Sequence, residues 1–260
     1  MATDTASPAL RAYEAMAPSY DAFTAGYDHE LWLERVEALA RDHGLHGDRV
    51  LDVGCGTGKS AEPLLRRGYA VTACDLSPAM AAIATRRLGP GADVRVADMR
   101  DLPESLGRFD LITCLDDAVN YLATVDDLRA AFASARRLLA DHGLYVFDVN
   151  TLRAYRESRD FVLETDDTVF CWRASEAPNG PNEAYTAQLD TFVEGPDGRW
   201  TRRTSRHEQR HFSDEIVRSA LADEGLRLVD LLGQAPGVRL TRPPDEQRDA
   251  KRLYIARRAS

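Results

Sequence analysis

The most constraining feature of the sequence is a glycine-rich loop that joins a buried strand to a helix. Residues 50–60 read VLDVGCGTGKS, so that Gly54, Gly56 and Gly58 follow an apolar, β-branched run. Glycine at such a turn permits backbone conformations that other residues avoid, and it lets a ligand approach the main chain closely. The helix that follows offers free N–H groups at its N-terminus. The loop therefore predicts a small-ligand site at the carboxyl end of the first strand.

Two familiar glycine-loop patterns do not fit this spacing. A phosphate-binding P-loop requires GxxxxGK[ST], but Val53 stands six positions before Lys59, where the first glycine belongs. The dinucleotide pattern GxGxxG also fails, because Lys59 occupies the position of its third glycine.

Short apolar runs alternate with segments of helical period over the first 150 residues, which is typical of a parallel sheet flanked by helices. The predicted strands are 49–54, 69–75, 93–98, 109–115 and 143–150, and the predicted helices include 29–43, 77–89 and one that begins at Thr124. From residue 151 the pattern changes to alternating segments that predict antiparallel strands, and the αβ pattern resumes at Ser213. We therefore predict an α/β core, residues 1–150 and 213–260, interrupted by a small β insertion, residues 151–212.

Composition excludes several classes of function. The chain has 33 basic and 42 acidic residues, a net charge of −9, so strong attraction to nucleic acids or anionic membranes is not expected. The four cysteines are far apart and form no cluster with histidine, which predicts neither a disulfide framework nor a metal site. No run approaches the about 18 apolar residues of a membrane span, and residues 1–10 lack the features of an export signal. We expect a cytoplasmic protein, and a homo-oligomer is compatible with the sequence.

Acidic residues lie at the ends of the first three predicted strands: Asp52 before the glycine loop, Asp75 after strand two and Asp98 after strand three. With the GxGxG loop, this order resembles the cofactor motifs of the class I S-adenosylmethionine-dependent methyltransferases, and the resemblance extends over nearly the whole chain. It implies a Rossmann-like, mostly parallel sheet whose last strand is antiparallel. It also implies S-adenosyl-L-methionine as cofactor and S-adenosyl-L-homocysteine as product.

The resemblance implies a role for each matched residue. Asp75 would accept hydrogen bonds from the ribose hydroxyls and Asp98 from the adenine amine, because a carboxylate is an acceptor only. Leu76 and Met99 would cover the adenine ring, and Asp52 with the loop would hold the methionine portion. The full predicted cofactor-binding set is Asp52, Gly54, Cys55, Gly56, Gly58, Asp75, Leu76, Asp98, Met99, Leu115 and Tyr20.

A more local resemblance concerns the methyl acceptor. Residues 11–23 (RAYEAMAPSYDAF), residues 113–122 (TCLDDAVNYL) and the late β insertion resemble small-molecule methyltransferases, including N-methyltransferases of nucleotide-linked amino sugars and antibiotic-tailoring enzymes of secondary metabolism. In those enzymes N-terminal tyrosines close over the cofactor, which implies a lid role for Tyr13 and Tyr20. Several of them carry histidine at the strand-four exit where this chain has Asn120, so a histidine base is not expected at that position.

Four residues are therefore candidates for the catalytic site: Tyr13, Tyr20, Asp117 and Asn120. A structural role for Asp117 in a turn is an equal alternative. His207 and His211 fall on one face of the predicted strand 199–212, which predicts either a catalytic histidine or a solvated, arginine-rich face. The aromatic residues Trp172, Tyr185, Phe192 and Trp200 are expected to form the insertion's own core.

The leading hypothesis is a methyltransferase that acts on an amine nitrogen of a small metabolite, with O-methylation as the nearest alternative. An RNA methyltransferase would need an RNA-binding module and a positive charge, neither of which the sequence indicates. A protein that binds the cofactor without catalysis is the alternative from another class.

Overall fold

The computed structural model describes residues 7–175 and 177–259; residues 1–6, on which much of the expectation about export signals rests, lie outside the described residues. The helices are α1 Pro8–Met16, α2 Tyr20–Phe23, α3 His29–Asp42, α4 Ala61–Arg66, α5 Pro78–Leu88, α6 Val125–Leu138, α7 Leu152–Glu157 and α8 Asp214–Asp223. The strands are β1 Arg49–Val53, β2 Ala70–Asp75, β3 Ala92–Val96, β4 Phe109–Cys114, β5 Leu139–Asn150, β6 Phe161–Glu164, β7 Thr168–Ala174, β8 Ala184–Glu194, β9 Trp200–Arg210, β10 Leu226–Ala235, β11 Arg239–Thr241 and β12 Lys251–Arg258.

The core is an eight-stranded sheet in the order β11-β10-β12-β5-β4-β1-β2-β3. Strands β1 to β5 pair in parallel, whereas β12 runs antiparallel to both of its neighbours. Two apolar clusters flank the sheet: one includes Phe132 of α6, and the other includes Trp32 and Val36 of α3. The predicted fold class, a mostly parallel sheet with an antiparallel last strand and helices on both faces, is confirmed.

Helix caps fix several of the predicted boundaries. The Ser77 hydroxyl accepts a hydrogen bond from the Met80 N–H, and Pro78 occupies the first turn of α5. Thr124 and Asp127 form a reciprocal capping box at the start of α6. None of the helices in the described ranges is long and apolar enough to cross a membrane.

A second, four-stranded antiparallel sheet has the order β6-β7-β8-β9, and all its strands lie within residues 151–212. The alternating pattern predicted β7, β8 and β9 but missed α7, which is only six residues long, and β6, whose four residues are all exposed. The expectation that the four aromatic residues form the insertion's own core is wrong for Trp200, which is 49% exposed. Phe170 and Leu189 are buried against Met16 of α1, and Tyr185 is buried in a second cluster with Tyr155 and Ala187.

Candidate active site

The glycine loop turns sharply between β1 and α4. Gly54, Gly56 and Gly58 all have positive φ, between 54° and 85°. At Gly58 a Cβ atom would lie 3.3 Å from Ala84 of α5, so glycine is required there for close packing of the loop against a helix. The loop therefore exposes its backbone at the carboxyl edge of the parallel strands.

Asp75, at the end of β2, fastens this loop to the next one. Its carboxylate accepts hydrogen bonds from the Gly56 N–H at 2.9 Å and the Ser77 N–H at 2.8 Å. Burial raises the pKa of Asp75, although these two hydrogen bonds oppose the shift. Each carboxylate oxygen has a second lone pair, so the group can still accept hydrogen bonds from a ligand.

The N-terminal helices close over the loop through two acidic residues. Glu14 accepts hydrogen bonds from the Ser77 hydroxyl at 2.5 Å and the Ala79 N–H at 2.9 Å. Asp21 accepts a hydrogen bond from the Thr57 hydroxyl at 2.6 Å and forms an ion pair with Arg87. Sequence reasoning named the tyrosines of this segment but missed the carboxylates that hold it in place.

A cavity of about 360 Å³ lies between the glycine loop, the ends of β2 and β4, and helix α1. All members of the predicted cofactor-binding set line it except Asp52 and Gly58. Its remaining lining includes Tyr13, Lys59 and Ser60. The predicted residues are thus gathered around one cavity, and their individual roles stay predictions.

Asp52 is placed differently from the expectation that its side chain holds the methionine portion. Its carboxylate is 1% exposed and accepts hydrogen bonds from the Ser60 hydroxyl at 2.5 Å and the Thr113 hydroxyl at 2.8 Å. Burial raises the pKa of Asp52 to about 6. Asp52 therefore positions Ser60, which does line the cavity.

Asp98 lines the cavity, but its carboxylate is already paired. It receives hydrogen bonds from the Arg100 guanidinium, at 2.6 Å to Nη2, and from the Arg100 N–H at 2.9 Å. Burial alone would raise the pKa of Asp98, but the hydrogen bonds from Arg100 outweigh it and lower the pKa. Asp98 therefore presents a negative group whose position is fixed by arginine.

A second cavity, of about 510 Å³, adjoins the first and is walled by the N-terminal helices, the core sheet and the insertion. The insertion contributes Trp172, Tyr185, His207 and Gln209 to its lining. The residues that line both cavities are Tyr13, Tyr20, His29, Asp116, Tyr121 and Gln209. These six side chains define the junction between the two cavities.

The loop after β4 carries acidic groups to this junction. Asp116 and Asp117 adopt positive φ values of 57° and 54°, a conformation that aspartate tolerates better than most residues. Their N–H groups donate to the carboxylate of Asp148 at 2.8 and 2.6 Å. Asp117 therefore has the structural role in a turn that was the alternative for it, and its side chain also lines the second cavity.

Lys251 partly neutralises the negative charge of these carboxylates. Its Nζ lies 3.2 Å from Asp117, 3.5 Å from Asp148 and 3.7 Å from Asp116. Burial would lower the pKa of Lys251, but the three carboxylates raise it well above its usual value. Burial also raises the pKa of Asp148 to about 6. Three acids share one lysine, so the cluster keeps an excess of negative charge.

Asn120 lines neither cavity, and its expected role in orienting the methyl acceptor stays a prediction. Its side chain is fully buried; the amide nitrogen donates to the Arg210 carbonyl at 2.7 Å, and the amide oxygen accepts from the Asn150 N–H at 2.9 Å. Through these hydrogen bonds Asn120 links the segment after β4 to β9 and β5.

Tyr13 and Tyr20 both reach the junction, as the lid expectation requires. A Cβ atom built on Gly56 would lie 3.6 Å from the Tyr20 ring, which therefore covers the glycine loop. Burial raises the pKa of both tyrosines, and nearby carboxylates reinforce the effect. Both side chains are therefore neutral hydrogen-bonding groups at ordinary pH.

His207 is buried rather than solvated. It is 2% exposed, its Nδ1 lies 2.9 Å from the Tyr121 hydroxyl, and its Nε2 lies 3.0 Å from the Ser205 hydroxyl. Burial lowers the pKa of His207 to about 4. His211 is also buried, but it lines neither cavity. The strand's period had placed both histidines on one face but could not show which face is covered.

Tyr121, His29 and Lys251 were missed as site residues. Their positions follow from the packing of three distant segments at one sheet edge, for which no local pattern exists. Among the residues described, no group of three or more histidine, cysteine or acidic side chains is arranged to hold a metal ion.

The fold and the two adjoining cavities define a class of protein: an α/β protein with one cavity at the carboxyl edge of its parallel strands and a second, acid-lined cavity beside it. Residues 50–143 match the family model described as a methyltransferase domain. The chain is 33% identical to malonyl-[acyl-carrier protein] O-methyltransferase of Geobacter sulfurreducens, over 86% of this chain and 71% of that protein. It is 30% identical to dTDP-3-amino-3,6-dideoxy-alpha-D-glucopyranose N,N-dimethyltransferase of Streptomyces fradiae, over 90% of this chain and 92% of that protein.

A solved structure with a similar fold is an S-adenosylmethionine-dependent methyltransferase from Clostridium acetobutylicum. It has a TM-score of 0.80 and 24% sequence identity, and the match covers 95% of this chain and 99% of that one. The chain belongs to the S-adenosylmethionine-dependent methyltransferases. The predictions of family, cofactor and enzyme class are confirmed.

Proposed function

We propose that this enzyme transfers a methyl group to the nitrogen of a small-molecule amine that binds in the second cavity. The observation that carries this proposal is the excess of carboxylates at the junction, where Asp116 and Asp117 face both the second cavity and Lys251. A neutral amine with N–H groups can bind at such a site, because carboxylates accept but do not donate hydrogen bonds.

The residues of the first cavity suit the cofactor. Asp75 has acceptor capacity for a ribose, and the backbone of Gly54 and Gly56 is open to close approach. Leu76 and Met99 offer apolar contacts for the adenine ring. When bound, S-adenosylmethionine would supply an electrophilic methyl group on a sulfonium sulfur, and transfer of that group to an amine nitrogen would leave S-adenosylhomocysteine.

The other contributions of the protein to catalysis are the alignment of the two reactants and the exclusion of water from them. Correct orientation of two bound reactants can lower the barrier by roughly 7 to 11 kcal/mol, so an amine acceptor needs little acid–base help. Tyr13 and Tyr20 cover the junction, and Glu14 and Asp21 hold their segment closed. The product ammonium can lose its proton to water after release.

The same charges disfavour a carboxylate acceptor such as the malonyl group named for the Geobacter relative. A negatively charged group would meet Asp116 and Asp117 at short range, and Lys251 is already shared among three acids. The relative named for an amino-sugar dimethyltransferase supports a nitrogen acceptor and, with it, a role in the tailoring of secondary metabolites.

Mass spectrometry on a panel of acceptors tests the proposal. The purified enzyme is incubated with S-adenosylmethionine and, separately, with dTDP-3-amino-3,6-dideoxy-α-D-glucopyranose, glucosamine, phenethylamine, catechol, malonyl-acyl carrier protein and tRNA. Methylation of at least one amine, at a higher kcat/KM than any oxygen acceptor, is expected. Methylation of only catechol, malonyl-acyl carrier protein or tRNA would refute the nitrogen assignment, and so would cofactor binding without transfer to any amine of the panel.

A further inference from the structure

The hydroxyl of Tyr121, one of the six junction residues, has a buried hydrogen-bond partner. Its ring lies between the two cavities, and its oxygen is 2.9 Å from Nδ1 of His207. His207 belongs to β9 of the insertion, 86 residues further along the chain. The second sheet therefore supplies a contact to the site as well as a wall.

The two hydrogen bonds of His207 determine the direction in which the Tyr121 proton points. A neutral imidazole donates from one nitrogen and accepts at the other. The phenol of Tyr121 is the more acidic of the two hydroxyl partners and therefore the better donor, so it donates to Nδ1 while Nε2–H donates to Ser205. The low pKa of His207, caused by burial, keeps the ring neutral.

The opposite side of Tyr121 faces the junction, where Tyr13 packs edge-on with 5.0 Å between ring centroids and Gln209 lines the same space. Burial raises the pKa of Tyr121, which keeps the phenol protonated and able to donate. The side-chain amide nitrogen of Gln209 donates a hydrogen bond to the Asp117 carboxylate at 2.5 Å. Because the Tyr121 proton is directed to His207, the lone pairs of its oxygen remain to accept a hydrogen bond at the junction.

We propose that His207 is a positioning residue that fixes Tyr121 as a hydrogen-bond acceptor at the junction, where Tyr121 binds an N–H of the methyl acceptor and directs the nitrogen lone pair toward the methyl group. This role rests on the proposed N-methylation. It selects acceptors that keep an N–H when they react, which are primary and secondary amines. Tyrosine and histidine take up no net proton in this arrangement, and the proton of the product ammonium passes to water after release.

Nuclear magnetic resonance tests the orientation without any acceptor. In the ¹⁵N-labelled enzyme saturated with S-adenosylhomocysteine at neutral pH, His207 is expected to be protonated at Nε2 and unprotonated at Nδ1. Tyr121→Phe should then shift the Nδ1 resonance of His207, whereas Tyr254→Phe, a buried tyrosine that lines neither cavity, should not. Protonation at Nδ1, or a charged ring, would overturn the proposal.

Kinetics with the panel amine that the wild type methylates fastest tests the function. Tyr121→Phe and His207→Phe should each lower kcat about tenfold or more with the affinity for S-adenosylhomocysteine unchanged, and the double variant should be no slower than Tyr121→Phe. His207→Gln, whose amide oxygen can accept the Tyr121 proton, should recover most of the lost rate. His211→Phe replaces another buried histidine, which directly follows β9 and lines neither cavity. It controls for a loss of rate caused by damage to the fold.

Additive losses in the double variant, or a normal kcat for Tyr121→Phe, would overturn the proposal. A wild-type enzyme that methylates none of the amines would instead refute the proposed function. In that case the resonance experiment still decides whether His207 orients Tyr121, so the two failures are distinguishable.

Discussion

Replacement of Asp75 by alanine should abolish tight cofactor binding and leave the fold intact. The carboxylate lines the cofactor cavity, and each hydrogen bond from a ribose hydroxyl to a charged acceptor contributes about 1.5 to 3 kcal/mol. Loss of two such bonds costs at least about 3 kcal/mol, which corresponds to a rise in Kd of more than about 100-fold. The Gly56 and Ser77 N–H groups also lose their acceptor, but they lie at a cavity that water can enter.

Calorimetric titration with S-adenosylhomocysteine measures the effect, and circular dichroism verifies that the variant is folded. Asp93→Ala is a matched control, because this exposed acid of the neighbouring strand lines neither cavity and pairs with Arg95. A Kd for Asp75→Ala within about threefold of the wild type, less than about 0.7 kcal/mol, would refute the ribose assignment.

Three further variants test other parts of the site. Burial raises the pKa of Asp52 to about 6, so its contribution to stability is present at low pH and is lost as the pH rises through that value. Between pH 5 and 7.5 the wild type should lose about 1.4 kcal/mol of unfolding free energy relative to Asp52→Asn in urea titrations, and parallel pH profiles would contradict this. Asn120→Ala should lower the free energy of unfolding by about 2 to 3 kcal/mol, because two buried backbone groups lose their partner; a fully stable variant with lost turnover would support a catalytic role. Asp117→Asn should raise KM for an amine about tenfold with cofactor affinity unchanged, and an unaltered KM would remove this carboxylate from the acceptor site.

The sequence predicted most of the core, because its strands and helices carry strong local signals. Ser77 and Thr124 mark helix starts that the structure reproduces, and the alternation of strands and helices up to Asn150 is typical of the observed parallel sheet. Strand β11, three residues long, was missed because it is recognisable only from its pairing with β10.

The cofactor side of the site was more predictable than the acceptor side. Asp75 and the glycines lie close together in sequence and follow consecutive strands, so their convergence follows from parallel topology alone. Tyr121, His207 and Lys251 come from the core, the insertion and the last strand, and only the packing of these parts brings them together. The buried hydrogen bonds of Asn120 could not be predicted, because the partners of a polar residue at a strand exit cannot be read from sequence spacing.

A crystal structure of the enzyme with S-adenosylhomocysteine is the most direct test of the cofactor's location. The nucleoside is expected beside Asp75 and Met99 in the first cavity, with its sulfur directed to the junction at Tyr121 and Asp116. Electron density for the nucleoside in the second cavity, or a sulfur that points away from the junction, would contradict the assignment of the two cavities to methyl donor and methyl acceptor.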